Sequence, residues 1–166
     1  LDRYGNIQNC ISLLREMNHS EINCIVQARM GSSRLYGKVM AKADDEYIVF
    51  DYLINQLKHS KLIQKIIIAT TTNKEDDLIV EFAKKNQIEF FRGNESDVLD
   101  RYYQCAKNFS SNNILRITSD NPLTDPTVID DLIINYQKIS CDYASTSLIR
   151  TYPFGIEAEI FSFSSL

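Results

Sequence analysis

The residues of this chain best equipped for chemistry form one run, Gln27-Ala28-Arg29-Met30-Gly31-Ser32-Ser33-Arg34-Leu35-Tyr36-Gly37-Lys38. Between Ile22 and Ala43 stand four cations, Arg29, Arg34, Lys38 and Lys42, and no acid, whereas the rest of the chain holds 14 cations against 22 acids. Glycines free backbone N–H groups, Ser32 and Ser33 offer hydroxyl donors, and guanidinium forks grip two oxygens at once; this is the donor set a phosphate takes. The run is not a Walker A loop, because Gly31 and Gly37 enclose five residues and Val39 stands where a magnesium-holding Ser or Thr belongs. A Rossmann fingerprint is also absent, since Gly31 has no Gly two residues on. The expectation is an anion-binding loop; the plain alternative is a solvated loop with scattered cations.

A second group is Thr118-Ser119-Asp120-Asn121-Pro122-Leu123. A carboxylate at the end of a buried strand can hold Mg²⁺, which takes few protein oxygens and leaves positions for phosphate. It can equally cap a turn. A third is Phe154-Gly155-Ile156-Glu157-Ala158-Glu159-Ile160-Phe161, where alternation predicts Glu157 and Glu159 on one strand face. One of them can join Asp120 at a metal, or both can line a solvent-facing edge. Asp97 falls in a helix first turn, Asp44-Asp45-Glu46 reads as a solvated turn, and His19 and His59 suit helix ends rather than acid–base work.

These groups need elements to position them. Ile22–28 reads as a buried strand, Lys65–Thr70 as a β-branched one, Ile88–Phe91 and Asn113–Thr118 as two more, and 142–146 and 156–161 as the last. Helices are expected over 7–18, 47–60, after an Asn73 cap, from a Ser96 cap toward Asn108, and from Pro126 to about Lys138. Alternating strands and helices imply an α/β fold of three layers, a mostly parallel sheet with helices on both faces. In such sheets ligands bind beyond the carboxyl ends of the strands, where 28–38, 70–73 and 118–126 converge.

At 166 residues, 44% hydrophobic and 24% charged, the chain has the size and composition of one globular domain. A net charge of −4 argues against nucleic acid as a partner. Cys10, Cys24, Cys105 and Cys141 form no C-x-x-C pair, which leaves buried thiols as the simple reading. No apolar run approaches the roughly 20 residues of a membrane span, and no signal peptide opens the chain, so the cytoplasm is the expected location. The start at Leu1 and the stop at Phe163-Ser164-Ser165-Leu166 suggest a piece of a longer protein.

The basic run resembles the opening of the cytidylyltransferases that activate acidic sugars, the acylneuraminate and 3-deoxy-manno-octulosonate enzymes, and most of all the branch linked to spore-coat polysaccharide synthesis. Ala69-Thr70-Thr71-Thr72-Asn73-Lys74-Glu75-Asp76-Asp77, Phe91-Arg92-Gly93, Asp97-Val98-Leu99-Asp100-Arg101-Tyr102-Tyr103, Arg116 to Leu123, Arg150-Thr151-Tyr152-Pro153, Gly155 and Glu159 to Phe163 extend the likeness over about Ile22 to Leu166. The resemblance implies a nucleotide-diphospho-sugar transferase fold over 21–166, incomplete at its sugar-binding and dimer-forming end, with 1–20 as a helical extension. It implies CTP and an acidic sugar as partners, Mg²⁺ as cofactor, and a homodimer for the full-length protein. Arg29, Arg34 and Lys38 would serve catalysis; Ala28, Arg29, Gly31, Ser32, Ser33, Arg34, Lys38, Ala69, Thr70, Thr71 and Arg92 would bind nucleotide; Asp120, Glu157 and Glu159 would hold the metal. Tyr36 replaces the family's usual proline, and Glu157 replaces an aspartate. A glycosyltransferase is the alternative enzyme, weakened because Ser119-Asp120-Asn121 offers one acid where an Asp-x-Asp motif has two. A silent nucleotide-binding fragment is the non-enzymatic reading.

Overall fold

A computed structural model of the chain describes residues 21–32, 34–139 and 141–166. The expected 7–18 helix, the 1–20 extension, Cys10, His19 and Ser33 lie outside these residues. The element order is β1 (Ile22–Gln27), α1 (Val49–His59), β2 (Lys65–Thr71), α2 (Asp77–Lys85), β3 (Glu89–Gly93), α3 (Val98–Asn108), β4 (Asn113–Thr118), α4 (Pro126–Ile139), β5 (Tyr143–Ser145) and β6 (Glu159–Ser162). Short 3-10 turns occupy Lys38–Met40, Lys74–Asp76 and Phe163–Ser165.

The six strands form one sheet in the order β3-β2-β1-β4-β6-β5. The first four run parallel, and β6 runs antiparallel to both β4 and β5. Strand alternation splits the core into two apolar layers. Cys24, Val26, Ile68, Leu115 and Ile160 pack with α1, α2 and α4 through Phe50, Leu53, Phe82 and Ile133. Ile25, Ile67, Ala69, Ile114 and Phe161 pack with Tyr102, Cys105 and Ala106 of α3. Each such fully buried large side chain contributes roughly 1.5–3 kcal/mol. Burial pushes the Cys105 thiol up to about 12, and the Cys24 thiol rises for the same reason, so both stay protonated.

Several expected boundaries shift. Ser96 does not cap α3; the Asp97 carboxylate accepts from Asp100 N–H at 2.9 Å, while the Asn94 side chain takes the N–H groups of Ser96 and Asp97. Asn73 makes no side-chain cap, because its Nδ2 donates to Glu95 and a 3-10 turn precedes α2. The last strand starts at Glu159 rather than Ile156, since Glu157 is drawn into a turn around Gly155. His59 does sit at a helix end, its Nδ1 2.7 Å from Asn55 O.

Candidate functional site

The carboxyl ends of β1 and β4 open onto a cleft of about 240 Å³. The basic loop lines it with Arg29, Gly31, Ser32, Arg34 and Lys38; the strand ends add Gln27, Thr118, Ser119 and Asp120. Arg34 and Asp120, 86 positions apart in sequence, therefore share one site. Parallel pairing of β1 with β4, Gln27 opposite Thr118, is what brings them together.

The loop is held by its backbone. Ala28 N–H donates to Ala69 O at 3.1 Å, and Gly37 N–H donates to Met30 O at 2.8 Å, closing the loop on itself. Gly37 has φ +67, and a Cβ there would meet Met30 Cε at 3.1 Å, so the turn needs glycine. Met30 N–H donates to the buried Asp76 carboxylate at 2.7 Å, and the Thr71 hydroxyl donates to the same group. Tyr36 OH donates to Glu75 at 3.2 Å, so this residue ties the loop tip to the segment after β2.

The cations differ in their engagement. Lys38 Nζ lies 2.8 Å from Asp120 Oδ2. Arg29 stands 3.6 Å from Glu95, with both side chains near half exposed, a pair that contributes little. Arg34 is exposed and pairs with no acid among the described residues. Partial burial pushes the Asp120 carboxyl up, but hydrogen bonds from Lys38 and Thr118 outweigh it and hold the group below the usual aspartate range.

The remaining expected site residues fall elsewhere or differ in role. Ala69, Thr70 and Thr71 lie inside β2 and are fully buried, not in a loop. Arg92 is a strut: its Nε donates to Thr71 O, its Nη2 to Asn73 O, and its Nη1 pairs with Asp77 at 2.6 Å. Three of its five N–H donors are thus engaged within the protein. Glu159 pairs with Arg116 at 2.7 Å. Glu157 pairs with Arg150 at 2.8 Å and accepts from Gly155 N–H and Asn121 Nδ2; the Arg150 hydrogen bond, aided by the Gly155 N–H, holds its carboxyl below the ordinary value. Glu157 precedes the strand that carries Glu159, so the two do not line one strand face. Among the described residues no group of three or more His, Cys, Asp or Glu could hold a metal.

A single carboxylate, open cleft and hard-oxygen donors fit Mg²⁺ held jointly by Asp120 and a bound phosphate, the usual manner for this ion. Glu157 is joined to the Asp120 segment through Asn121. Glu159 does not line this cleft; with Arg116 it lines a separate cavity beside Tyr102 and Phe161.

Sequence reasoning missed three groups. Asp76 was legible only as a helix-end acid. Glu95 carries no motif signal. Arg101 is fully buried, with Nη1 donating to Asn94 O at 2.6 Å. Burial lowers its pKa, and its Nε and Nη2 find no partner among the described residues. No helix among the described residues is long and apolar enough to cross a membrane.

Comparison with known proteins supplies the lineage. An uncharacterised protein of Methanocaldococcus jannaschii is 44% identical over 142 residues, covering 86% of this chain and 57% of the relative. The spore coat polysaccharide biosynthesis protein SpsF of Bacillus subtilis is 34% identical over 145 residues, covering 85% and 59%. The chain thus spans less than two thirds of the length of these relatives. A solved cytidylyltransferase structure from Leptospira borgpetersenii superposes with a TM-score of 0.82 at 33% identity, covering 89% of this chain and 62% of that one. The cytidylyltransferase family model matches residues 23–166, all of the sheet and its helices but the first residue of β1, and the chain belongs to that family.

Proposed function

We propose that the protein to which this chain belongs transfers CMP from CTP to an acidic sugar, with release of pyrophosphate, for surface polysaccharide synthesis. The observation that carries this reading is the shared cleft of about 240 Å³, where Arg34, the other loop cations and Asp120 line one space. The sugar class is supported by the motif likeness to enzymes that activate acidic sugars and by similarity to a spore-coat polysaccharide protein.

The reaction asks for positioning and charge stabilisation more than for covalent help. A sugar hydroxyl attacks the α-phosphorus, the bond to the bridging oxygen of the β-phosphate breaks, pyrophosphate leaves with that oxygen, and the hydroxyl proton passes to solvent. Arg34 and Arg29 bind the triphosphate from the loop side. Lys38 can exchange Asp120 for a phosphate oxygen, moving its charge onto the leaving group. Gly31 and Ser32 add donors along the same wall. Mg²⁺, when held by Asp120 and phosphate, supplies further neutralisation of the leaving pyrophosphate.

The test is product identity. With CTP, Mg²⁺ and a panel of acidic sugars, pyrophosphate and a CMP-sugar are expected. Arg34→Ala should lower kcat/KM by roughly 100-fold, the scale of removing one charge-stabilising donor. Release of a nucleoside diphosphate from a nucleotide sugar would instead assign a glycosyltransferase. Tight CTP binding without turnover on the intact protein would leave a silent binding module.

A further inference from the structure

We propose that Asp76 is a positioning residue for the basic loop, holding Met30 at a fixed point so that Arg29 and Gly31 face the cleft before nucleotide arrives. The proposal rests on the nucleotide reading above. Asp76 ends the 3-10 turn Lys74–Asp76 that leads into α2, where an acid ordinarily caps the helix or faces water. It does neither: its side chain makes no cap and the residue is buried. Its Oδ1 accepts from Met30 N–H at 2.7 Å, and its Oδ2 accepts from the Thr71 hydroxyl. Thr71 is the last residue of β2, so the carboxylate is itself fastened to the sheet. A hydrogen bond from a backbone N–H to a buried carboxylate is among the stronger contacts a protein makes.

Met30 is pinned from three sides. Its N–H goes to Asp76, its carbonyl accepts from Gly37 N–H at 2.8 Å, and its side chain is buried in the core. Arg29 and Gly31, on either side of it, line the cleft, and Met30 does not. Between β1 and the 3-10 turn at Lys38 the described residues belong to no strand or helix, so contacts of this kind give the loop its order. The 73–76 segment reaches the loop twice more. Tyr36 OH donates to Glu75 at 3.2 Å, and Asn73 Nδ2 donates at 2.7 Å to Glu95, the partner of Arg29. The Tyr36 and Arg29 contacts are open to solvent and weak, which leaves Asp76 as the buried anchor of the three. A loop ordered in advance loses less entropy when it binds.

The experiment joins amide hydrogen exchange at Met30 to calorimetry with CTP and Mg²⁺, without any acceptor sugar. Asp76→Ala should open Met30 N–H to exchange and weaken CTP binding about tenfold, a difference of about 1.4 kcal/mol. Asp76→Asn, which keeps an acceptor for Met30 N–H, should retain slow exchange and most of the affinity. The cycle with Arg29 separates positioning from stability. Because Asp76 acts through Arg29, the tenfold loss should shrink to about twofold in the Arg29→Ala background, as coupled sites do. A carboxylate that only stabilises the fold would lower Tm and add its full effect to that of Arg29→Ala. Should Asp76→Ala fail to fold, Thr71→Val, which removes the second donor to the carboxylate, carries the same cycle with a smaller loss. Folded variants that bind CTP as tightly as wild type, an Asn variant that falls as far as Ala, or effects fully additive with Arg29→Ala overturn the proposal. If CTP binding falls in Arg34→Ala but not in Asp76→Ala, the phosphate cradle stands and the positioning role alone is refuted. Absence of CTP binding by the wild type overturns both.

Discussion

Lys38 and Asp120 neutralise one another across 2.8 Å, and each is also the group a nucleotide would recruit. On the reading proposed above, the pair would release a charge of each sign when nucleotide binds. Its signature is the Asp120 titration. The native carboxyl sits below its unfolded value, so its contribution to stability is present above the unfolded pKa near 4 and fades as pH falls through the lowered native value. Carbon-detected NMR should place the Asp120 midpoint below the ordinary aspartate range, and Lys38→Met should raise it, because burial then acts without its counter-charge. A midpoint unmoved by Lys38→Met would mean that the pair is not formed in solution. At this scale the sequence was informative where residue type alone mattered: Arg29, Arg34, Lys38 and Asp120 lie where basic-loop and strand-end logic expected. It misled for Glu159, whose partner Arg116 comes from a strand 43 residues earlier through antiparallel pairing that no local pattern shows. Nor does a local pattern show that Arg92 braces the carbonyls at the end of β2 and in the turn after it.

Between elements, close approach decides what the chain tolerates. At Gly93, the last residue of β3, a Cβ would stand 2.9 Å from Arg101 Cγ and 3.0 Å from Phe91 Cε1. The buried Arg101 stem of α3 passes directly over this glycine, and the guanidinium beyond it holds the 94–95 turn. Gly93→Ala should therefore cost about 1–3 kcal/mol by overpacking, lowering Tm by roughly 2–4 °C per kcal/mol for a domain of this size. Thermal unfolding followed by circular dichroism reads the change, and a variant as stable as wild type would show that the turn yields freely. Strands β1, β2 and β4 were legible to within a residue or so because each is a β-branched run with punctuation at both ends. The reversal at β6 was not, because a four-residue strand behind a long turn carries too few alternations to fix its start. Helix caps failed where neighbouring side chains competed: Asn94 and Asp97 displaced Ser96, and Glu95 drew Asn73 away.

Across the whole molecule, the charge is unevenly spread. A net −4 chain concentrates four cations and no acid between Ile22 and Ala43, so this run attracts an anionic ligand against the sign of the chain's overall charge. That contrast was readable by counting, whereas the cleft itself was not, since it required the β1–β4 pairing to close the distance between loop and aspartate. Two of the cleft cations are partly cancelled, Arg29 by Glu95 and Lys38 by Asp120, which leaves Arg34 as the cleft cation with no acidic partner among the described residues. Exposed charges lose their reach as salt rises, the screening length shrinking from about 10 Å at about 0.1 M to about 3 Å at about 1 M. CTP affinity should therefore weaken by about tenfold between roughly 0.05 and 0.5 M NaCl, mainly through slower association, as expected for electrostatic steering. In Arg34→Ala the same titration should be markedly flatter, because the unpaired charge that gives the loop its long-range pull is gone. Stopped-flow association rates across the salt series separate steering from a purely short-range grip on phosphate. Removing a short-range grip lowers affinity by the same factor at every salt concentration, whereas removing a steering charge lowers it most at low salt. Parallel salt slopes in the two proteins would show that Arg34 acts only after the nucleotide has docked.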